Sequence, residues 1–133
     1  MTRTYLMIKP EAVRAALWPG ILHLLLQNRF QVRRLEMRRL TPAVARQFYA
    51  EHDGKPFFPA LVEYITSGDV VAVWLEGADA VPRLRALVGA TDPAKATPGT
   101  LRYMFGTSLQ ENAVHASDSE ASAARELGLI FPG

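Results

Sequence analysis

Two apolar runs, "TYLMIK" at 4–9 and "VVAVWLE" at 70–76, constrain the fold more tightly than any other feature of the chain. Each is short, rich in β-branched and aromatic residues and nearly free of polar interruptions, the pattern of a central strand covered by helices. The two are expected to be neighbours in one sheet. Around them the apolar period changes to that of helices: near "ILHLLLQNR" at 21–29, then at 42–52, 57–66, 77–89 and 118–129. Thr41 before Pro42 reads as an N-cap followed by proline at the first helical position, and Gly89 reads as a stop. A strand from about 30 to 40 and a short one holding Val114 complete the order strand–helix–strand, helices, strand–helix–strand. That order predicts an α+β sandwich with helices on one face of the sheet. In "RRLEMRR", 33–39, Leu35 and Met37 alternate with charges, which predicts a half-buried strand in place of a nucleic-acid stripe.

Composition narrows the function classes. A chain of 133 residues with 49% hydrophobic and 21% charged residues is expected to form one domain, 1–133, around a single core. No apolar run approaches the ~20 residues of a membrane span. The segment "RTYLMIKP" after the first residues is broken by Lys9 and Pro10 too early for a secretory leader. With no cysteine there is neither disulfide nor thiolate metal site, and a soluble, cytoplasmic protein is expected. The net charge is only +2, but twelve arginines stand against three lysines, and arginine's planar fork suits phosphate oxygens. Neither G-x-x-x-x-G-K-[ST] nor G-x-G-x-x-G occurs, so any phosphate must be held by side chains.

"NAVHASDS", 112–119, sets the third and last histidine just before a helix. "SDSE", 117–120, fits a capping box, with Ser117 as cap and Glu120 reaching back. Such a helix directs free N–H groups and its positive end at His115, where an anion is welcome. Along it Ser119, Ser122 and Glu126 share one stripe, and Ala123, Leu127 and Ile130 form the apolar one. A carboxylate that anchors one imidazole nitrogen leaves the other free to act as a nucleophile, and Glu126 is positioned to do so for His115. The plain alternative is a histidine that merely hydrogen-bonds locally. His23 reads as a polar-face helix residue, and His52 sits near a turn with no evident partner.

Together with "NAVHASDS", the stretches "MIKPEAV" (7–13), "YAEHDGKPFFPALVEYITSG" (49–68) and "GATDPAKATPGTLR" (89–102) occur in an order and spacing that closely resemble the nucleoside diphosphate kinases, from Thr4 to about Phe131. The resemblance implies a ferredoxin-like sandwich with a four-stranded antiparallel sheet. It also implies a ping-pong exchange in which a nucleoside triphosphate, typically ATP, phosphorylates His115 and a nucleoside diphosphate of any base collects the phosphoryl group. Carried over by position, the phosphate ligands are Lys9, Tyr49, Arg85, Thr91 and Arg102. Asn112 serves the ribose with Lys9, Phe57 and Leu109 clamp the base beside Leu61, and Ser117 and Glu126 support the histidine. Mg²⁺ is implied as the cofactor, held mainly by the nucleotide's phosphates. A homo-oligomer is implied too, a hexamer ahead of a tetramer or dimer, with no membrane and no obligatory nucleic acid as partners.

Helical spacing agrees with two of these assignments. Val81, Leu84 and Val88 define a buried stripe with Arg85 beside it, turned toward a pocket, and Arg83 opposite, in solvent. Phe58, Leu61, Val62 and Ile65 line another, which leaves Phe57 displaced by ~100° and free to offer its ring. Three departures from the family pattern stand out: Ala116 where glycine is usual, expected to crowd the site; "PEAV" for Pro-Asp-Gly-Val; and "RYMF" at 102–105, which lacks an acidic residue. Ala116 and "RYM" motivate the alternative of a diverged nucleotide-binding module with little turnover, while a ferredoxin-like sheet and a pI of about 9.2 motivate that of a single-stranded nucleic-acid binder. The latter lacks the alternating sheet aromatics such modules use.

Overall fold

The computed structural model describes residues 1–132. The first apolar run forms β1 (Thr2–Ile8) and the second β3 (Val70–Gly77); β2 (Gln31–Arg38) and β4 (Val114–Ala116) complete a sheet of order β2-β3-β1-β4. Every neighbouring pair is antiparallel. This is the predicted ferredoxin-like arrangement, with β1 and β3 adjacent in the middle.

The expectation of helices on one face only is corrected: they cover both. Strand side chains alternate in direction, so Leu6 and Ile8 enter one core with Leu25, Leu84 and Leu101, while Tyr5 and Met7 enter a second with Phe48, Ile65 and Leu127. The helices of the first layer are α1 (Pro10–Arg14), α2 (Trp18–Gln27), α5 (Ala80–Val88) and α6 (Leu101–Phe105); those of the second are α3 (Pro42–Phe48), α4 (Phe58–Ile65) and α7 (Glu120–Ile130). The reason lies in β1 itself. A strand apolar at both odd and even positions must be covered on both sides.

The half-buried strand expected here is corrected: β2 has no buried position, and Leu35 and Met37 are 45% and 46% exposed. A bulge between Val32 and Arg34 resets the register so that Leu35 faces Val73 and Met37 faces Val71. Only β3 pairs with this edge strand, and the helices over those valines leave both residues open.

Helix ends follow local chemistry. At α3 the Thr41 hydroxyl accepts from the Val44 N–H, with Pro42 at the first position, as expected. The single helix predicted over 42–52 nevertheless stops at Phe48, and a 3₁₀ turn over Ala50–His52 follows after Tyr49 departs from helical angles. The predicted cap at Ser117 is also corrected: α7 begins at Glu120, and Ser119 caps it by accepting from the Ser122 N–H. Ser117 is thereby released for another partner. Gly89 ends α5 at φ +87°, as its position suggested. Among the described residues no helix is long and apolar enough to cross a membrane.

Candidate active site

Antiparallel pairing sets His115 opposite Met7, so its ring enters the layer of α3, α4 and α7. Phe48 meets the imidazole edge to face at 4.9 Å and Tyr5 lies 6.1 Å away. From α7, Glu126 brings its Oε1 to 2.9 Å from His115 Nε2, and the Ser117 hydroxyl donates to the same oxygen at 2.7 Å. On the other side the guanidinium of Arg125 stands 3.7 Å from Oε2 while donating to the carbonyls of Gln47 and Phe48 at the end of α3. Glu126 is 4% exposed, and this set of partners is what makes its burial tolerable. The His115 side chain stays 22% exposed, with Nδ1 free of partners among the described residues.

The imidazole opens into a cavity of about 640 Å³. All twelve candidate residues gather here. Lys9, Tyr49, Phe57, Leu61, Arg85, Thr91, Arg102, Leu109, Asn112, His115 and Glu126 line it, while Ser117 lies behind Glu126. Lys9 follows β1, is 8% exposed, and donates from Nζ to Asn112 Oδ1 at 2.7 Å and to the Gln110 carbonyl at 3.4 Å. Asn112 in turn donates to the Thr91 carbonyl at 3.0 Å. Arg102, on α6 and 4% exposed, donates to the carbonyls of Gly89 and Val114, and its Nε has no partner among the described residues. Arg85, more open, donates to the Ala116 carbonyl at 3.2 Å. At the mouth Phe57 and Leu109 are open, at 49% and 63% exposure.

Electrostatics mark the floor of this cavity as a place for an anion. Burial, and then the neighbouring Arg102, lower the Lys9 ammonium to about 8, with Glu11 partly offsetting them. Burial and Arg85 bring the Arg102 guanidinium down to about 10. Three cations crowd together and, among the described residues, none of them is in a salt bridge, so phosphate oxygens would be strongly favoured. Burial, followed by Glu126, raises the Tyr49 phenol, which stays protonated and able to donate. At the rim a hydrogen bond from Ser122 holds the Asp118 carboxyl below its ordinary value.

Three residues around the site, His52, Arg83 and Ala116, differ from expectation. His52 is not partnerless: its Nδ1 lies 3.1 Å from Lys55 Nζ, its ring stacks on Tyr49 at 6.3 Å and approaches Phe57 at 5.2 Å, and it lines the cavity with Glu51. No periodic signal could have found it, since it sits where α3 breaks. Arg83 is not merely solvated, for it donates to the carbonyls of Ala78 and Asn28 and lies 4.4 Å over the Phe30 ring. Ala116 lines the cavity, but its methyl does not crowd the imidazole. It pairs with Leu6, so its methyl enters the core on the opposite face of the sheet, and its backbone keeps an ordinary φ. Tyr103 and Met104, in turn, are exposed on the outer side of α6 and do not line the cavity.

The nucleoside diphosphate kinase family model matches residues 2–133. A nucleoside diphosphate kinase of Mycolicibacterium vanbaalenii is 50% identical over 98% of this chain and 97% of its own, and one of Desulforamulus reducens 47% identical over 98% and 88%. Among solved structures, the Aquifex aeolicus nucleoside diphosphate kinase superposes with a TM-score of 0.96 at 44% identity, covering 99% of this chain and 96% of that one. The halophilic enzyme of Halobacterium salinarum, solved in complex with CDP, gives 0.95 at 41% identity over 98% and 88%. With a match over nearly its whole length and relatives near half identity, the chain belongs to the nucleoside diphosphate kinase family.

Proposed function

We propose that this single 1–133 domain transfers the γ-phosphoryl group of a nucleoside triphosphate, ATP foremost, to a nucleoside diphosphate by way of a phosphohistidine at His115. One observation carries this reading: Nε2 is engaged by Glu126 while the ring opens on a cavity lined by Lys9, Arg85 and Arg102. The lone pair of Nδ1 attacks the γ-phosphorus in line. The bond to the β–γ bridging oxygen breaks, and the diphosphate leaves with that electron pair. A second diphosphate then attacks the phosphorus through its terminal oxygen, the P–N bond breaks, and Nδ1 recovers its pair.

Catalysis on this account is positioning plus fixed charge. Lys9, Arg85 and Arg102 face the spreading negative charge of the transition state, with Tyr49 and Thr91 adding donors. The Glu126 carboxylate, set by Ser117, stabilises positive charge as it develops on the imidazole. Asn112, bonded to Lys9, serves the ribose. Phe57, with Leu61 and Leu109 near it, offers the base an apolar face worth ~1–3 kcal/mol whichever base is present, so broad base tolerance is expected.

Among the described residues no trio of His, Asp or Glu side chains could hold a metal on its own, whereas Glu51 and Asp118 line the cavity. This donor set fits Mg²⁺ carried mainly by the phosphates, which Glu51 and Asp118 would help to hold, and the ion would supply charge neutralisation of the phosphates. We also infer a cytoplasmic homo-oligomer, a hexamer ahead of a tetramer or dimer. An unpaired β2 edge carrying the open Leu35 and Met37 supports self-association. Light scattering after gel filtration would give a mass near six times 14.7 kDa.

The test is transfer from ATP to GDP, CDP and UDP. Wild type is expected to phosphorylate all three at comparable rates, and His115→Ala none. Undiminished transfer by His115→Ala, or nucleotide binding without transfer by wild type, would overturn the reading, the latter in favour of a binding module.

A further inference from the structure

Resting on that reading of the site, we propose that Glu11 and Tyr64 are positioning residues that hold a strained turn at Ala113 and through it set Asn112 and His115. Ala113 has φ +75°, in the left-handed region that a side chain with a Cβ resists, and the Val114 N–H reaches back to the Asn112 carbonyl at 2.9 Å. These features define a γ-turn of the rare positive-φ form. Something outside the turn must hold it there.

The holding groups come from α1 and α4. The Glu11 carboxylate accepts the Ala113 N–H through Oε2 at 2.9 Å, and its other oxygen accepts the Tyr64 hydroxyl. From the opposite side the Lys9 N–H donates to the Ala113 carbonyl at 2.8 Å. Both polar groups of one fully buried residue are thus pinned by the segment that carries Lys9. Ala113 itself does not line the cavity. The residue before it supplies Asn112 to Lys9 Nζ, and the second residue after it is His115. A turn that relaxed toward ordinary angles would swing Asn112 off Lys9 and tilt β4, which pairs with β1 over only three residues. None of this requires Glu11 or Tyr64 to touch a nucleotide, and neither lines the cavity.

Strain gives the proposal a distinctive signature. Glycine adopts φ +75° without penalty, so at position 113 it should make the carboxylate largely dispensable. Glu11→Ala is expected to slow single-turnover phosphorylation of His115 by ATP at least tenfold. Ala113→Gly alone should stay within about twofold of wild type, and the double variant should recover to within about threefold. Tyr64→Phe, a smaller lesion for use should Glu11→Ala fold poorly, should slow the step about threefold and be rescued by the same glycine. In the nucleotide-free protein, hydrogen exchange at the Ala113 amide should accelerate at least tenfold in Glu11→Ala. A folded Glu11→Ala as fast as wild type, or a double variant as slow as Glu11→Ala, would overturn the proposal. So would a Tyr64→Phe variant that glycine fails to rescue. If wild type takes no phosphate from ATP, the kinase reading fails and the amide exchange alone decides whether Glu11 clamps the turn.

Discussion

Lys9 shows how one residue joins burial to function. With its ammonium lowered to about 8, it is charged below that pH and progressively neutral above it. Affinity for ADP, titrated from pH 7.5 to 9.5, should therefore hold steady at first and then fall as pH rises past about 8, because only the protonated form attracts phosphate. Lys9→Gln should bind more weakly and lose this dependence. Stability of the nucleotide-free protein runs the other way: above pH 8 the unfolded chain holds this proton more tightly than the folded one, so stability gains as pH rises toward 10. Ser117 acts through a neighbour. Ser117→Ala removes a donor from the Oε1 that engages His115, and loss of a hydrogen bond to a charged acceptor should slow single-turnover phosphorylation by about ten- to hundredfold. At this scale the spacing alone suggested only His115 and Glu126, whereas Lys9, Arg85, Arg102 and Asn112 were legible through the family resemblance. His52 was hidden, since its place in the cavity depends on where α3 ends.

Among the elements, α7 separates two serines that look alike in sequence. Ser119 caps the helix and Ser117 serves Glu126. Ser119→Ala should cost about 1 kcal/mol of stability, read as a lower melting temperature, while leaving transfer little changed. Gly89 couples α5 to α6. Its φ of +87° excludes an easy Cβ, and one placed there would lie 2.6 Å from the Thr100 hydroxyl, the N-cap of the helix that bears Arg102. Gly89→Ala should destabilise by at least about 1 kcal/mol and weaken ADP binding, measurable by thermal melts and titration on one preparation. The stop at Gly89 and the cap at Thr41 were legible because each is decided by one or two residues. The helices α1 and α6 were not, since five residues are too few to display a period. The capping box misled for a related reason: either serine before Glu120 could cap, and tertiary demand for Ser117 at Glu126 decided which did.

For the whole molecule, the sheet and its α+β class were legible from β1 and β3, and the two-sided covering was latent in the same residues. Tyr5 and Met7 are large and predominantly apolar, as Leu6 and Ile8 are, which a one-sided sheet would not require. The openness of β2 was not legible, because an edge position is a property of the assembled sheet and the bulge at Val32/Arg34 reverses the facing of the residues after it. What the fold accomplishes is to bring β1, β4, α5, α6 and α7 to one end of a cavity. There an imidazole with one nitrogen held by a carboxylate meets the buried Lys9 and Arg102 and the more open Arg85. The most direct measurement of that claim is the isomer of phosphohistidine formed with ATP, read by ³¹P and ¹⁵N resonance on protein kept at alkaline pH. Phosphate is expected on Nδ1 of His115 and on no other residue. Phosphate on Nε2, the nitrogen Glu126 engages, or on another histidine would contradict it.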